Sequence, residues 1–576
     1  MREIVTVQVG DFANFIGSHF WNFQDELLGL AADPGSNPLF KNHNQYLNMD
    51  VLYRNGETQQ GTLTYTPRVV SINHQGSLGS LSSQGALYKE GPSASSAVTT
   101  WTGNISTHAS EPSKKNLFLQ SLDEEERGNL KCSGSNKGNT ATQSEIQNQD
   151  IVGCLENGVQ YWTDFSKVHY HPQSLYELSG LWMDTEKFDN FGAGRDIFSG
   201  GLRGEEISER LRFFVEECDY IQGFQFIVDD AGGFSALAAD FLENIADEYS
   251  NTPVLLYSVR GPGSHMNTRS QKQSISRNIH DAVSFSRLSS FCRMIIPVGL
   301  PFLSRSEASK YLCIEDEKPY HCSAVYAAAV HSLSLPFRME SMGPTADSSY
   351  FSGGMDIYEL VHTLTTQGRQ NMAITLDVAM PVHPLALSGK KDEQYFLQNL
   401  HSLTPQIAEV EDLQAVESLT VHGAFSSGGR QASVCEVTDT VDEAYEHALM
   451  RPKFSHLSVA VCPLPIPLPF PSIFSNKVGQ HGELLSSPVA GSTSRGSLDV
   501  HSIPMAARLR SSKVILPFLE NRLLNLRKYG IERGAPGTEL LRSWGFAKEE
   551  LEEMEENIYK MVTTLDDRYQ GSSDSE

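Results

Sequence analysis

The chain has 576 residues, 39% of them hydrophobic, and a formal net charge of −25. That length and apolar content suffice for one large domain or two to three ordinary ones. The acidic balance excludes broad binding to nucleic acid or to anionic lipid surfaces, and favours basic partners.

The first predicted element is a strand at residues 2–9, where apolar and polar residues alternate. After Gly10, the residues Phe12, Phe15, Ile16, Phe20, Phe23 and Leu27 recur at helical spacing and mark one buried face. Strand, glycine turn and helix are the first half of a βαβ unit. This start is neither a secretory signal nor a transit peptide, since Arg2 is the only base before Lys41, against Glu3, Asp11, Asp25 and Glu26. The sequon at Asn104-Ile105-Ser106 is therefore expected to stay unglycosylated.

Residues 62–72 read as a further strand. The stretches 75–115 and 123–150 turn to Ser, Gly, Asn, Gln and charge; they lack the apolar surface to order themselves and read as loops or disordered insertions. Structure resumes near Gln160-Tyr161-Trp162. Residues 205–217 form a charged amphipathic helix with Ile207, Leu211, Phe214 and Val215 on one side. Residues 223–228 are a buried strand, 229–233 a turn, and Phe234, Leu237, Ala238, Phe241, Leu242, Ile245 and Tyr249 the inner face of the next helix. Residues 253–259 are the following strand. This is the clearest βαβ unit, and it implies a parallel sheet with a right-handed crossover.

An Ala-rich helix covers 320–335, and 370–383 and 455–462 read as strands of a second layer. The longest uncharged stretch, Phe454 to Asn476, carries prolines at 463, 465, 467, 469 and 471, which exclude a membrane-spanning helix. It reads as an extended segment packed along a surface groove, with a Pro-rich ligand as the alternative. A last helix at about 547–568 turns Leu551, Met554, Ile558, Met561, Val562 and Leu565 inward. Its outer face is acidic, with ten Asp/Glu against three Lys/Arg over 548–576. That face reads as solvated. No transmembrane anchor is expected.

The fold class is α/β: a parallel, Rossmann-like, nucleotide-binding-type domain, a second smaller α+β domain and C-terminal helices. The expected divisions are 1–115 with a disordered loop at about 75–115, a low-complexity insertion at 116–150, a domain core at 151–345, the second domain at 346–510, and a helical region with an acidic tail at 511–576. The eight cysteines form no CxxC pair and read as reduced thiols with no zinc spacing. There is no GxxxxGK[ST], HExxH, GxSxG or EF-hand loop. His169 and His171 could share one face of a strand, but no third ligand is marked, so a structural role is expected.

The opening Met1-Arg2-Glu3-Ile4-Val5, Gln8, Gly10, Asn14, Ile16, Gly17, Phe20 and Trp21 resembles the start of a tubulin. Cys218-Asp219-Tyr220-Ile221-Gln222-Gly223-Phe224-Gln225 is similar to the tubulin segment that leads into the glycine-rich phosphate loop. The run 214–220, Trp162-x-Asp164-Phe165 and His169-x-His171-Pro172 look like the Misato family, whose members are divergent tubulin relatives. The Misato resemblance covers most of the chain, whereas the tubulin resemblance is sharp only at 1–21 and 214–249. It implies a tubulin/FtsZ-like fold and a role in mitochondrial distribution, morphology and mitochondrial DNA inheritance. By the same resemblance the protein is cytoplasmic with association at the mitochondrial outer surface, and its partners are outer-surface or cytoskeletal proteins.

By that resemblance, the residual nucleotide-binding set is Gly10, Asp11, Asn14, Gly232, Gly233, Ser235 and Asn278. A phosphate loop needs glycines so that backbone N–H groups can approach an anion at a helix start. Here Ala231-Gly232-Gly233-Phe234-Ser235-Ala236-Leu237 keeps two glycines and puts Phe234 and Leu237 where small residues belong. Asp229, Asp230 and Asp11 would repel phosphate unless a metal bridged them; helix capping is the role expected of them. Ser71-Ile72-Asn73-His74-Gln75 replaces an acidic metal-holding loop. Leu335-Pro336-Phe337-Arg338-Met339-Glu340 lacks the acidic pattern with which a neighbouring tubulin subunit activates water. The expectation is a non-enzymatic tubulin-like protein with no cofactor. A GTP-binding assembling protein, or an adaptor using its Pro-rich and acidic segments, are the alternatives.

Overall fold

The computed structural model describes residues 2–41, 47–57, 63–81, 114–129, 141–178, 188, 190–199, 202–262, 270–339, 350–385, 395–448, 451–491 and 493–566. The sequon at Asn104, Glu340, most of the 75–115 stretch and the tail beyond 566 lie outside these residues.

The chain begins with β1 (Glu3–Val9), α1 (Asp11–Ala32) and the one-turn helix α2 (Pro38–Lys41). A hairpin of β2 (Tyr53–Glu57) and β3 (Leu63–Pro67) leads into β4 (Val69–His74). Pro67 closes the hairpin, so the single predicted strand at 62–72 is two. Next come α3 (Leu117–Asn129), α4 (Ala141–Gly158) and β5 (Leu175–Leu178). The 123–150 stretch, expected as loop, thus carries much of two helices. Phe118, Ile151 and Leu155 are buried and anchor them from just outside the polar run.

After β5 follow α5 (Phe191–Ser199), α6 (Leu202–Glu216), β6 (Ile221–Asp229), α7 (Gly232–Glu248), β7 (Val254–Val259), α8 (Gln271–Ser290) and β8 (Met294–Val298). Strands β5-β4-β1-β6-β7-β8 form one all-parallel sheet. Both faces are covered, as parallel sheets require. Val5, Val7 and Val9 turn toward the layer of α5, α7 and α8, while Ile4 packs toward α1.

The helix α9 (Pro319–Ser334) is buried along its length, packed against α1 and against the strands of a second sheet. A helix with no exposed face needs small residues all round, hence its alanines. Then come β9 (Phe351–Ser352), α10 (Ile357–Thr366), β10 (Thr375–Ala379), α11 (Tyr395–Gln398), β11 (His401–Ser402), β12 (Val416–His422), α12 (Val434–Glu446) and β13 (Phe454–Ala460). The short strands β14 (Leu464–Pro465), β15 (Phe474–Ser475), β16 (Ser494–Arg495) and β17 (Ser502–Ile503) precede β18 (Met505–Ser511). A second, mixed sheet has the order β11-β10-β18-β12-β13-β9.

The proline-rich segment lies deeper than a surface groove. Leu464, Ile466 and Phe470 are buried, β14 pairs with β17, and the Tyr320 hydroxyl donates to the Pro469 carbonyl at 2.7 Å. The chain closes with α13 (Leu516–Leu526), α14 (Thr538–Ser543) and α15 (Lys548–Leu565). On α15, Leu551, Met554, Ile558, Val562 and Leu565 are buried against α8 and α13, as the spacing predicted.

Candidate functional site

In an open parallel sheet, ligands bind beyond the carboxyl ends of the strands. Here β1 ends at Val9 just before Gly10, β4 at His74, β6 at Asp229 and β7 at Val259, so one rim gathers most of the candidate residues. Gly10 takes φ 104°, a conformation that favours glycine. A Cβ there would stand 2.5 Å from the Cβ of Asp229 and 3.1 Å from the Phe234 ring. The turn is therefore packed against the chain's own side chains.

The phosphate-loop equivalent shows the same filling. Gly232 takes φ 65° and starts α7. The Gly233 N–H, which in a working loop would face an anion, donates to the carbonyl of Phe188 at 2.6 Å. A Cβ on Gly233 would meet the Phe188 ring at 2.7 Å, and one on Gly194 of α5 would meet the Gly233 carbonyl at 1.9 Å. Phe188 and Phe234 pack edge to face at 4.9 Å, and the His74 ring sits 4.8 and 4.5 Å from them. Three rings and a carbonyl thus occupy the space before α7.

The other candidates are held internally. Ser235 donates its hydroxyl to the Gly232 carbonyl at 2.8 Å, and His280 Nε2 approaches the same oxygen at 3.1 Å. Burial holds the His280 imidazole below its usual range, and since a carbonyl oxygen can only accept, Nε2 is the donor of this bond. Asn14 donates to the Ile72 carbonyl at 3.1 Å and to Asn73 Oδ1 at 2.9 Å, and accepts from the Ser71 hydroxyl at 2.8 Å. Trp162 Nε1 completes this network at Asn73, 2.9 Å away. Phe12, next to Asp11, turns its ring toward Tyr326 with centroids 5.9 Å apart. Asn278 is half-buried on α8, three residues before Asp281.

The aspartates do not cap helices. Neither α1 nor α7 has a side-chain cap; the N-cap positions are Gly10 and Ala231. Asp230 instead pairs with the buried Arg260 at 2.6 Å, and Arg260 also reaches Asp281 at 2.8 Å. The strand end needs a partner for a buried guanidinium more than the helix needs a cap. Burial works against the Arg260 charge, but these two carboxylates outweigh it and raise its pKa. Asp229 is pushed up to about 7, first by burial and then by the charges of Asp230 and Asp11. Asp11 is likewise raised by burial, with His74 Nε2 3.9 Å away opposing the shift.

The rim therefore does not suit a nucleoside triphosphate. The Gly233 N–H is taken by the Phe188 carbonyl, the space before α7 is aromatic, and the carboxylates of Asp11 and Asp229 lie close by. Among the described residues no cluster of three or more His, Cys, Asp or Glu is placed to hold a metal. His171 stacks on Phe213 at 4.8 Å and its Nδ1 accepts from the Gln173 N–H, a structural use.

Sequence reasoning missed Phe188, Arg260 and His280. Phe188 stands alone in a polar run and carries no signal. Arg260 was findable, as a charge at the carboxyl end of a buried strand beside Asp230.

The far end of the molecule bears on the same question. Leu335, Phe337, Arg338 and Met339 are buried, Leu47 and Met339 form a β-bridge, and the Asn48 N–H donates to the Arg338 carbonyl at 2.8 Å. Residues 335–339, the described part of this segment, are thus covered by the chain itself.

Comparison with known proteins places these features. Residues 2–124 match the Misato Segment II tubulin-like domain, and residues 154–339 match a Tubulin domain. Protein misato homolog 1 of Bos taurus is 30% identical over 601 residues, spanning 100% of this chain and 98% of the relative. The Mus musculus protein of the same name is 29% identical, with 97% of each chain covered. Protein DML1 of Gibberella zeae is 31% identical over 379 residues, covering 65% of this chain and 66% of its own.

Proposed function

We propose that this chain, which belongs to the Misato family of tubulin-like proteins, is a non-enzymatic body that acts in mitochondrial organisation through its surfaces. In this reading it supports mitochondrial distribution, morphology and DNA inheritance from the cytoplasm, in association with the outer mitochondrial surface. It works without GTP. One observation carries the non-enzymatic part: the Phe188 carbonyl takes the Gly233 N–H at the start of α7, under the rings of Phe188, Phe234 and His74. A phosphate could enter only by breaking that bond and displacing those rings. The mitochondrial part rests on family membership. Among the described residues no helix is long and apolar enough to cross a membrane, which fits attachment through protein partners.

Complementation separates the two parts. Cells depleted of their own family member would be supplied with the wild-type chain or with Ser235→Ala, which removes the one hydroxyl of the loop. Restored mitochondrial distribution with both chains is the expected result. No rescue by the wild type would overturn the mitochondrial role, and loss of rescue by a folded Ser235→Ala chain would overturn the non-enzymatic reading.

A further inference from the structure

The second sheet holds buried charges that the tubulin-like reading does not use. Strand pairing sets Asp377 opposite Arg508, and Arg510 between Thr375 and Glu417. Both arginines and both carboxylates are buried. Arg508 is well satisfied: Nε and Nη2 donate to Asp377 Oδ2 at 3.0 and 2.7 Å, and Nη1 lies 3.4 Å from each oxygen of Glu417. The Tyr445 hydroxyl donates to Glu417 at 2.8 Å.

Arg510 is held differently. Its Nη1 and Nη2 reach Glu409 only at 3.4 and 3.3 Å, Nη2 stands 3.5 Å from Asp377, and its buried Nε has no partner among the described residues. Charge-assisted bonds between guanidinium and carboxylate run at about 2.7–2.9 Å. Glu409 is itself 61% exposed, a surface side chain resting on a buried cation. Arg510, Arg508 and Tyr445 line a cavity of about 370 Å³ together with the carboxylates of Glu409, Asp412 and Glu417, and Leu397, Leu400, Ala444 and Ala448 add apolar surface.

We propose that this cavity binds a small monocarboxylate with an apolar body, whose carboxylate takes the place of Glu409 on Arg510. The planar guanidinium fork matches a carboxylate in two bonds. A monoanion replaces the charge of Glu409 one for one, whereas a dianion such as phosphate would face Asp377 and Glu417 close behind the arginines. The apolar wall takes the body of the ligand, and the volume lies at the small end of ligand sites. On binding, Glu409 swings into water, where an exposed carboxylate is well solvated.

Isothermal titration of the full chain with benzoate, benzamide and inorganic phosphate tests this. Benzoate is expected to bind, and the neutral benzamide and phosphate are not. Glu409→Gln removes the competing carboxylate at an exposed position, so it should tighten benzoate about tenfold, which is about 1.4 kcal/mol. Arg510→Gln should abolish binding, but it alters a buried charge, so the Glu409→Gln arm decides. Equal affinity of wild type and Glu409→Gln, equal binding of benzamide, or no binding of benzoate to Glu409→Gln at ~10 mM would overturn the proposal.

Discussion

At the scale of single residues, the history of the nucleotide rim is written in which atoms its glycines now touch. Gly10 and Gly233 let Asp229, Phe234 and Phe188 come close. Gly233→Ala would drive a methyl group into the Phe188 ring. We expect a loss of about 1–3 kcal/mol of stability, read from urea unfolding, as for overpacking elsewhere. An unchanged midpoint would mean that the Phe188 lid is not packed as described.

Asp229 gives a second test at this scale. Its carboxyl is raised to about 7 in the folded protein, against 3.8 when unfolded. Between these values the folded state holds a proton that the unfolded state has lost, so stability falls as pH rises from about 4 to about 7. The slope is at most about 1.4 kcal/mol per pH unit for one group. Asp11 is raised too and acts in the same direction. Asp281, lowered by Arg260 against the effect of burial, acts in the opposite sense only in acid below its usual range. Asp229→Asn should flatten the pH dependence of the melting temperature between about pH 5 and 7 and stabilise the protein near about pH 8. A variant whose profile parallels the wild type would show that Asp229 is ionised throughout.

At the scale of elements, Arg260 joins three of them. It sits just past β7 and ties Asp230, beyond β6, to Asp281 on α8. Removing it as Arg260→Met leaves two carboxylates without their cation, and we expect a loss of about 3–5 kcal/mol in chemical denaturation. A loss under about 1 kcal/mol, the range of surface pairs, would place the cluster in solvent. The elements themselves were largely legible in the sequence. The spacing of Phe12 to Leu27, the run 223–228 and the inward face of α15 all follow periodicity, because buried faces impose it. Two features were not legible. α3 and α4 hide in a polar stretch, since Phe118, Ile151 and Leu155 hold them from its edges. The closing of the rim was legible only by half: Phe234 announced bulk, but the Phe188 carbonyl on Gly233 is a long-range backbone bond that no side-chain pattern encodes.

At the scale of the molecule, the rim and residues 335–339 are both packed against the chain's own residues. The rim is filled by rings, and residues 335–339 are covered from the side of Leu47 and Asn48. On the non-enzymatic reading proposed above, two copies stacked end to end would have no nucleotide to share. Sedimentation velocity with and without GTP and magnesium should therefore give the same distribution. Growth of larger species with GTP would favour the assembling alternative.

The non-enzymatic account meets its most direct test in isothermal titration of GTP, with magnesium, into the purified full chain. It predicts no saturable heat at nucleotide concentrations up to ~1 mM, because affinity would have to be drawn from a loop whose N–H is already bonded. Saturable binding in the micromolar range would contradict it, and would mean that Phe188 and Phe234 move aside for a nucleotide after all.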